Sequence, residues 1–143
     1  DVLREGKTVC AGTYMGHFLA VQAVRSTLEI LERNNGEVYT QMEKLQRPLM
    51  VGLDEIARRR GIPMRVQGVT GVFSVLFGID PDRVQHSIAD AEGRDYELGN
   101  QFWTLMKEQN IYASPDRWFL NIVHTQQDIN MALDAADKAM GML

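Results

Sequence analysis

The stretch MRVQGVTGVFSVLFG, Met64 to Gly78, decides the fold class. It carries Val66, Val69, Val72, Phe73, Val75, Leu76 and Phe77 among glycines at 68, 71 and 78. Each glycine would cost a helix about 1 kcal/mol, whereas β-branched and aromatic side chains suit a pleated, half-buried surface. The run therefore reads as a strand region, bent or bulged at Gly68 and Gly71. Asp80-Pro81-Asp82 turns the chain after it.

On the N-terminal side the pattern changes to helical spacing. From Phe18 to Arg33, Val21, Val24, Leu28 and Leu31 share one face, and Ala20, Ala23, Thr27 and Ile30 form a second, semi-apolar one. Asn34-Asn35-Gly36 terminates that helix. Met42, Leu45, Leu49, Leu53, Ile56 and Ala57 continue a helical phase to Gly61, a C-terminal cap glycine before Pro63. Pro48 predicts a kink there or two shorter helices.

On the C-terminal side, a polar stretch to Asp95 precedes a helix marked by Leu98, Phe102, Leu105 and Met106. Two short strands are expected at 111–113 and 118–123, separated by Ser114-Pro115-Asp116. Thr125 with Asp128 three positions on reads as a capping box, opening a helix whose face is Ile129, Ala132, Leu133, Ala136, Met140 and Leu143. The order helix, helix, strand, helix, strand, strand, helix implies an α+β two-layer sandwich. In it a three-stranded, mainly antiparallel sheet is covered by helices.

The 143 residues fit one domain, and 45% hydrophobic with 24% charged residues is an average globular composition. No apolar run approaches the roughly 20 residues of a membrane span. A net charge of -4 without a basic stripe argues against nucleic acid as partner. The run Arg58-Arg59-Arg60 falls at a helix end, where cations complement the dipole. Cys10 is the single cysteine, so no internal disulfide is expected, and a cytoplasmic location is. The chain begins at Asp1 rather than Met, which suggests a piece of a longer polypeptide.

Catalytic constellations are sparse. His17, His86 and His124 lack metal-ligand spacing, so no metal site is expected. Cys10 near an apolar helix reads as inert rather than nucleophilic. Asp90, Glu92, Asp95 and Glu97 read as a solvated face. Gly12-Thr13 stands out: a glycine permits a tight turn, and a threonine hydroxyl and N–H before a helix suit either an anion or an ordinary N-cap.

AGTYMGHFLAVQAVRSTLEIL, GVTGVFSVLF, LMKEQNIYASP and HTQQDINMALDAADKAM, taken in order, resemble the C-terminal third of class III pyridoxal-phosphate-dependent aminotransferases. The branch is that of the glutamate-1-semialdehyde aminomutases. Phe18 stands where that family usually has proline. SPDRWFLNIVHT is shorter between proline and histidine than the aminomutase pattern and lacks its glutamate.

The resemblance implies the small C-terminal domain of a type I fold, at 36–143. An inter-domain linker helix at 18–35 and the tail of the large cofactor domain at 1–17 precede it. It implies that Thr13, with Gly12 admitting close approach, contacts the phosphate of pyridoxal 5'-phosphate bound in a neighbouring subunit. Arg117, whose guanidinium can grip a carboxylate bidentately, reads either as a substrate-carboxylate ligand in the intact enzyme or as an exposed turn arginine. The cofactor-bonding lysine and the aspartate at the pyridine nitrogen lie upstream in that family. No catalytic residue is therefore assigned within this chain, which alone is expected to bind no cofactor and to be inactive. The implied partners are the large cofactor domain and a second copy of the subunit. The alternative is a free-standing small domain that acts as a self-associating binding or assembly module.

Overall fold

The computed structural model describes residues 4–8, 11–86 and 92–143. Its elements run α1 (Phe18–Arg60), β1 (Met64–Val69), β2 (Val72–Phe77), α2 (Tyr96–Glu108), β3 (Arg117–Phe119) and α3 (Gln126–Met140). The chain divides into two compact units, Asp1–Glu37 and Val38–Leu143, with α1 passing from one to the other.

In the first unit a turn closed by Met15 N–H on the Gly12 carbonyl (3.0 Å) leads into α1. His17 starts the helix: its carbonyl accepts from Val21 N–H at 3.0 Å, and its Nδ1 accepts from Ala20 N–H at 3.4 Å. The first arm of α1 carries an Arg25–Glu29 pair at 2.8 Å. Helical geometry then lapses at Arg33–Gly36, where Asn34, Asn35 and Gly36 adopt φ of 51°, 58° and 76°. Asparagine and glycine are the residues that tolerate this left-handed region, so the expected terminator acts as one.

In the second unit α1 resumes and keeps helical backbone angles past Pro48 to Arg60. The expected division at Pro48 does not occur. Leu49, Leu53, Ile56 and Ala57 are buried beyond it. Burial of such side chains, about 1.5 to 3 kcal/mol for each large one, offsets the roughly 3 kcal/mol that an interior proline costs. Gly61, at φ 69°, ends the helix, with Ile62 N–H returning to the Ala57 carbonyl at 2.9 Å.

The sheet has the expected three antiparallel strands, in the order β1-β2-β3, but two of them come from the opening stretch. Residues 64–78 are a hairpin rather than one bent strand. Thr70-Gly71 makes its turn, with Gly71 at φ 92°. Gly68 is a paired position, not a bulge: a Cβ there would lie 2.3 Å from the Cα of Phe73, so glycine lets the strands close.

Residues 111–113, expected as a strand, are not one. Asn110 at φ 60° ends α2, Ile111 N–H caps the Met106 carbonyl at 3.0 Å, and the Trp103 indole donates to the Ala113 carbonyl. The expected strand over 118–123 shortens to β3. After it, the Asn121 carboxamide accepts from Val123 N–H at 3.0 Å, and His124 Nδ1 accepts from Asn121 N–H at 3.1 Å. These local bonds take the backbone groups a longer strand would need.

The helices of the second unit cover the inner face of the sheet. Met64, Phe73, Val75, Phe77 and Trp118 pack with Leu49 and Leu53 of α1, Phe102 and Met106 of α2, and Ile129, Ala136 and Ala139 of α3. The rings of Phe77 and Phe102 lie 5.1 Å apart, and those of Phe73 and Trp118 5.6 Å. Asp95 caps α2 by accepting from Leu98 N–H at 2.9 Å. The Thr125–Asp128 capping box forms as read: Thr125 N–H donates to Asp128 Oδ2 at 2.7 Å, and Asp128 N–H to Thr125 Oγ1 at 3.3 Å.

Candidate functional site

Gly12 and Thr13 lie in the turn that precedes α1, and both are exposed. The helix begins after Gly16, and His17 rather than Gly12-Thr13 makes the N-cap contacts. Gly12 has no positive φ, and a Cβ on it would meet nothing within 4 Å. Nothing among the described residues requires glycine there, and the Thr13 side chain stands open to an approaching group. Cys10 lies outside the described residues, as does Asp90 of the acidic connector.

Arg117 stands on β3, where alternation turns Trp118 inward and leaves Arg117 and Phe119 exposed. It is a strand residue, not a turn residue. Asp116 beside it faces Arg94 at 3.7 Å. Among the described residues the Arg117 side chain has no hydrogen bond or ion pair.

A concavity of ≈ 340 Å³ opens between α3 and the segment after α2. Trp118, Ile129 and Ala132 line it, with Ser114, His124 and Asp128 as polar groups. His124 and Asp128 are both engaged in holding backbone. Thr125, first through its N–H and then through its hydroxyl, holds the Asp128 carboxyl below its ordinary value of 3.8. Donors that bond the charged form favour it, as they do for a capping carboxylate.

The arginine run at the end of α1 is fully engaged with carboxylates. Arg58 meets Asp54 and Asp82, each at 2.7 Å, and Arg59 and Arg60 meet Asp137 at 2.9 and 2.8 Å. These guanidinium groups hold the Asp82 and Asp137 carboxyls below their ordinary range. The run braces one end of the unit. Among the described residues no group of three metal-ligating side chains occurs, and no helix is long and apolar enough to cross a membrane.

Gln46 is a polar residue that the sequence pattern did not single out. It is 4% exposed and grips both sides of the hairpin turn, donating to the Val69 carbonyl at 2.8 Å and accepting from Gly71 N–H at 2.6 Å. A signal was present: Gln46 lies four residues after Met42 and three before Leu49, in phase with the buried face.

The residues suit only one end of a pyridoxal phosphate. Thr13 and Gly12 offer an uncovered hydroxyl and room for a phosphate. No lysine is set for bonding a cofactor beside them: Lys7, in the same unit, pairs with Glu5 at 2.6 Å. The other lysines lie on the second arm of α1, on α2 and on α3, with Lys107 over the Trp103 ring at 4.3 Å.

No family model matches the chain. Curated relatives do. The chain is 33% identical over 138 residues to a glutamate-1-semialdehyde 2,1-aminomutase of Thermus thermophilus, covering 94% of this chain and 32% of that protein. It is 32% identical over 147 residues to the enzyme of that name from Methanopyrus kandleri, covering 99% of this chain and 33% of that one. The chain thus spans about a third of the length of the curated relatives it matches.

Solved structures agree in fold. A transaminase with PLP bound superposes over 95% of this chain and 30% of its own, with TM-score 0.65 at 14% identity. An omega-transaminase from Sphaerobacter thermophilus covers 74% of this chain and 24% of its own, with TM-score 0.61 at 17% identity. By sequence along nearly its whole length and by fold, the chain resembles the C-terminal portion of the class III aminotransferases, on the branch of the glutamate-1-semialdehyde aminomutases.

Proposed function

We propose that the chain is the C-terminal portion of a pyridoxal-phosphate-dependent class III aminotransferase or aminomutase acting on an amino acid or amino ketone, and that it is catalytically incomplete by itself. The observation that carries this reading is the match along 94% of the chain to 32% of an aminomutase. The remaining two thirds would supply the cofactor-bonding lysine and the aspartate. Bound pyridoxal phosphate supplies an electron sink for carbanion chemistry. Thr13 supplies a hydroxyl to its phosphate across a subunit boundary, and Gly12 keeps the approach clear. Arg117 receives a substrate carboxylate as a fixed fork of donors. The unit functions as a homo-oligomer in the cytoplasm.

Magnitudes explain why the chain alone would not hold the cofactor. Two charge-assisted hydrogen bonds from Thr13 contribute about 1.5 to 3 kcal/mol each, roughly 3 to 6 in all. Even millimolar binding needs about 4 kcal/mol beyond the costs of association.

The test compares the 143-residue chain with the longer polypeptide read from the same frame upstream, using visible absorbance and equilibrium dialysis with pyridoxal phosphate. The longer protein is expected to retain the cofactor and the short chain to lose it. Thr13→Ala in the longer protein weakens cofactor affinity about tenfold, the equivalent of one such hydrogen bond. An unchanged affinity removes the phosphate role. A reading frame without a cofactor-bonding lysine upstream transfers the reading to a free-standing assembly module.

A further inference from the structure

Beyond the pair Arg65 and Leu76, whose guanidinium is bonded to the Pro81 carbonyl, the outer face of the sheet is ordered into two rows. Register places Gln67, Ser74 and Arg117 side by side across the three strands, and Val69, Val72 and Phe119 side by side in the next row. The first row is polar and ends in a guanidinium without a side-chain partner among the described residues. The second is apolar, with Val69 69% and Phe119 67% exposed. Both rows line one open recess of ≈ 450 Å³.

The polar row is differentiated along its length. Gln67 is already occupied: its carboxamide donates to the Gln85 carbonyl at 2.6 Å and accepts from Gln85 N–H at 2.9 Å. That leaves Arg117 as the free charge and Ser74 as a neighbouring hydroxyl. The recess is also held rigidly at one end, because Gln46 bolts the hairpin turn to α1 and Leu120 N–H donates to the Gly71 carbonyl at 3.0 Å.

From this arrangement we infer that the recess selects a monocarboxylate whose neighbouring group is apolar, aromatic or branched, in preference to a dicarboxylate. The inference rests on the reading of Arg117 as the carboxylate receiver and names the substrate class it would serve. Arg117 binds the single carboxylate, with the Ser74 hydroxyl as an adjacent donor. The body of the ligand lies along Phe119, Val72 and Val69, where water leaves apolar surface on both sides. A second carboxylate placed on that row would lose its hydration without gaining a cation, since the row contains none. Phe119 and Val72 are therefore the specificity-determining positions, and Arg117 the anchoring one.

The test is amide-resolved NMR of the 143-residue chain titrated with phenylpropionate, with succinate and with phenethylamine. Phenylpropionate is expected to give saturable shifts at Val72, Ser74, Arg117 and Phe119, with an apparent affinity about tenfold tighter than succinate. Phenethylamine, lacking the carboxylate, gives none there. Arg117→Gln abolishes the shifts with both acids, and Phe119→Ser weakens phenylpropionate until it binds no tighter than succinate. Both substituted side chains are at the surface, so these variants fold.

Succinate binding as tightly as phenylpropionate, or shifts that do not saturate at this face, overturns the inference. Loss with Arg117→Gln but no preference to lose in Phe119→Ser overturns the substrate class alone. Undiminished phenylpropionate binding in Arg117→Gln overturns the carboxylate role as well. The cofactor experiment with Thr13→Ala is independent of each of these results.

Discussion

The two arms of α1 have the same sequence character and opposite fates. Beyond Gly36, the apolar positions Leu49, Leu53, Ile56 and Ala57 are all buried at 7% exposure or less. Before it, Val21, Val24, Leu28 and Ile30 remain 49 to 57% exposed. Periodicity predicts a helix equally well in both. Burial requires a partner, and only the second arm has a sheet and two further helices within its own unit to receive it. An amphipathic pattern thus states a demand for a covering surface without saying whether the same chain meets it.

The strongest challenge to that contrast is in the core of the second unit. Phe102→Ala removes a ring fully buried between Phe77 and Trp118. It is expected to cost about 3 to 5 kcal/mol in urea unfolding followed by near-ultraviolet circular dichroism. A loss under about 1 kcal/mol would mean that the second unit is no better packed than the first.

Gln46→Leu is the next in size. It deletes both bonds to the hairpin turn and leaves the Gly71 N–H and Val69 carbonyl without their side-chain partner. The expected loss is about 1 to 3 kcal/mol, accompanied by faster amide exchange at Gly71. Unchanged exchange at Gly71 would show that the turn does not depend on this clamp.

Thr125→Ala removes the hydroxyl half of the α3 capping box and is expected to cost about 1 kcal/mol. The same box gives a pH dependence of definite sign. Hydrogen bonds from Thr125 hold Asp128 below its ordinary 3.8, so the carboxylate is favoured more by the folded chain than by the unfolded one. Its stabilisation is complete above that ordinary value and is lost as pH falls through the lower folded value. The wild-type acid-unfolding curve should therefore lie at lower pH than that of Thr125→Ala. Coincident curves would show that the Thr125 hydroxyl adds nothing to the hold that the Thr125 N–H keeps on Asp128.

The smallest effect belongs to the first arm. Val24→Ser changes a residue 57% exposed and is expected to alter the unfolding free energy of this chain by no more than about 0.5 kcal/mol. In the longer polypeptide the same substitution should weaken subunit or domain assembly, read by analytical ultracentrifugation. A large loss in the isolated chain would erase the distinction between the arms.

Much of the fold was legible because its signals are local. The Asn34-Asn35-Gly36 break, the Gly61 cap and the Thr125–Asp128 box are decided by residues within a few positions of one another, and each appears where the sequence put it. Errors arose where competing bonds come from elsewhere. Ile111 and Ala113 have strand propensity, but the end of α2 and the Trp103 indole claim their backbone groups. Pro48 has a strong local penalty that distant burial overrides. Thr13 was legible as a polar residue at a helix approach, yet the N-cap contacts fall to His17, because the intervening Gly12–Gly16 turn was not visible as a unit.

Arg117 shows the same division within the candidate site. Its type and its place after a turn identify a cation, and the bidentate chemistry of a guanidinium supplies the proposed role. Its neighbours Ser74 and Phe119 could not be read from the sequence, because cross-strand register depends on where the hairpin turns. By itself the sequence determined most element types, the caps, the Asn34–Gly36 break and the family likeness carried by the AGTYMGH and HTQQDIN segments, all of which rest on short-range spacing or on residue order. The tertiary structure decided that 64–78 folds back as two strands, that Gln46 locks the turn, and that a polar row lies beside an apolar one. Those features depend on which backbone groups and side chains meet across long sequence separations, and local propensity contains no term for that.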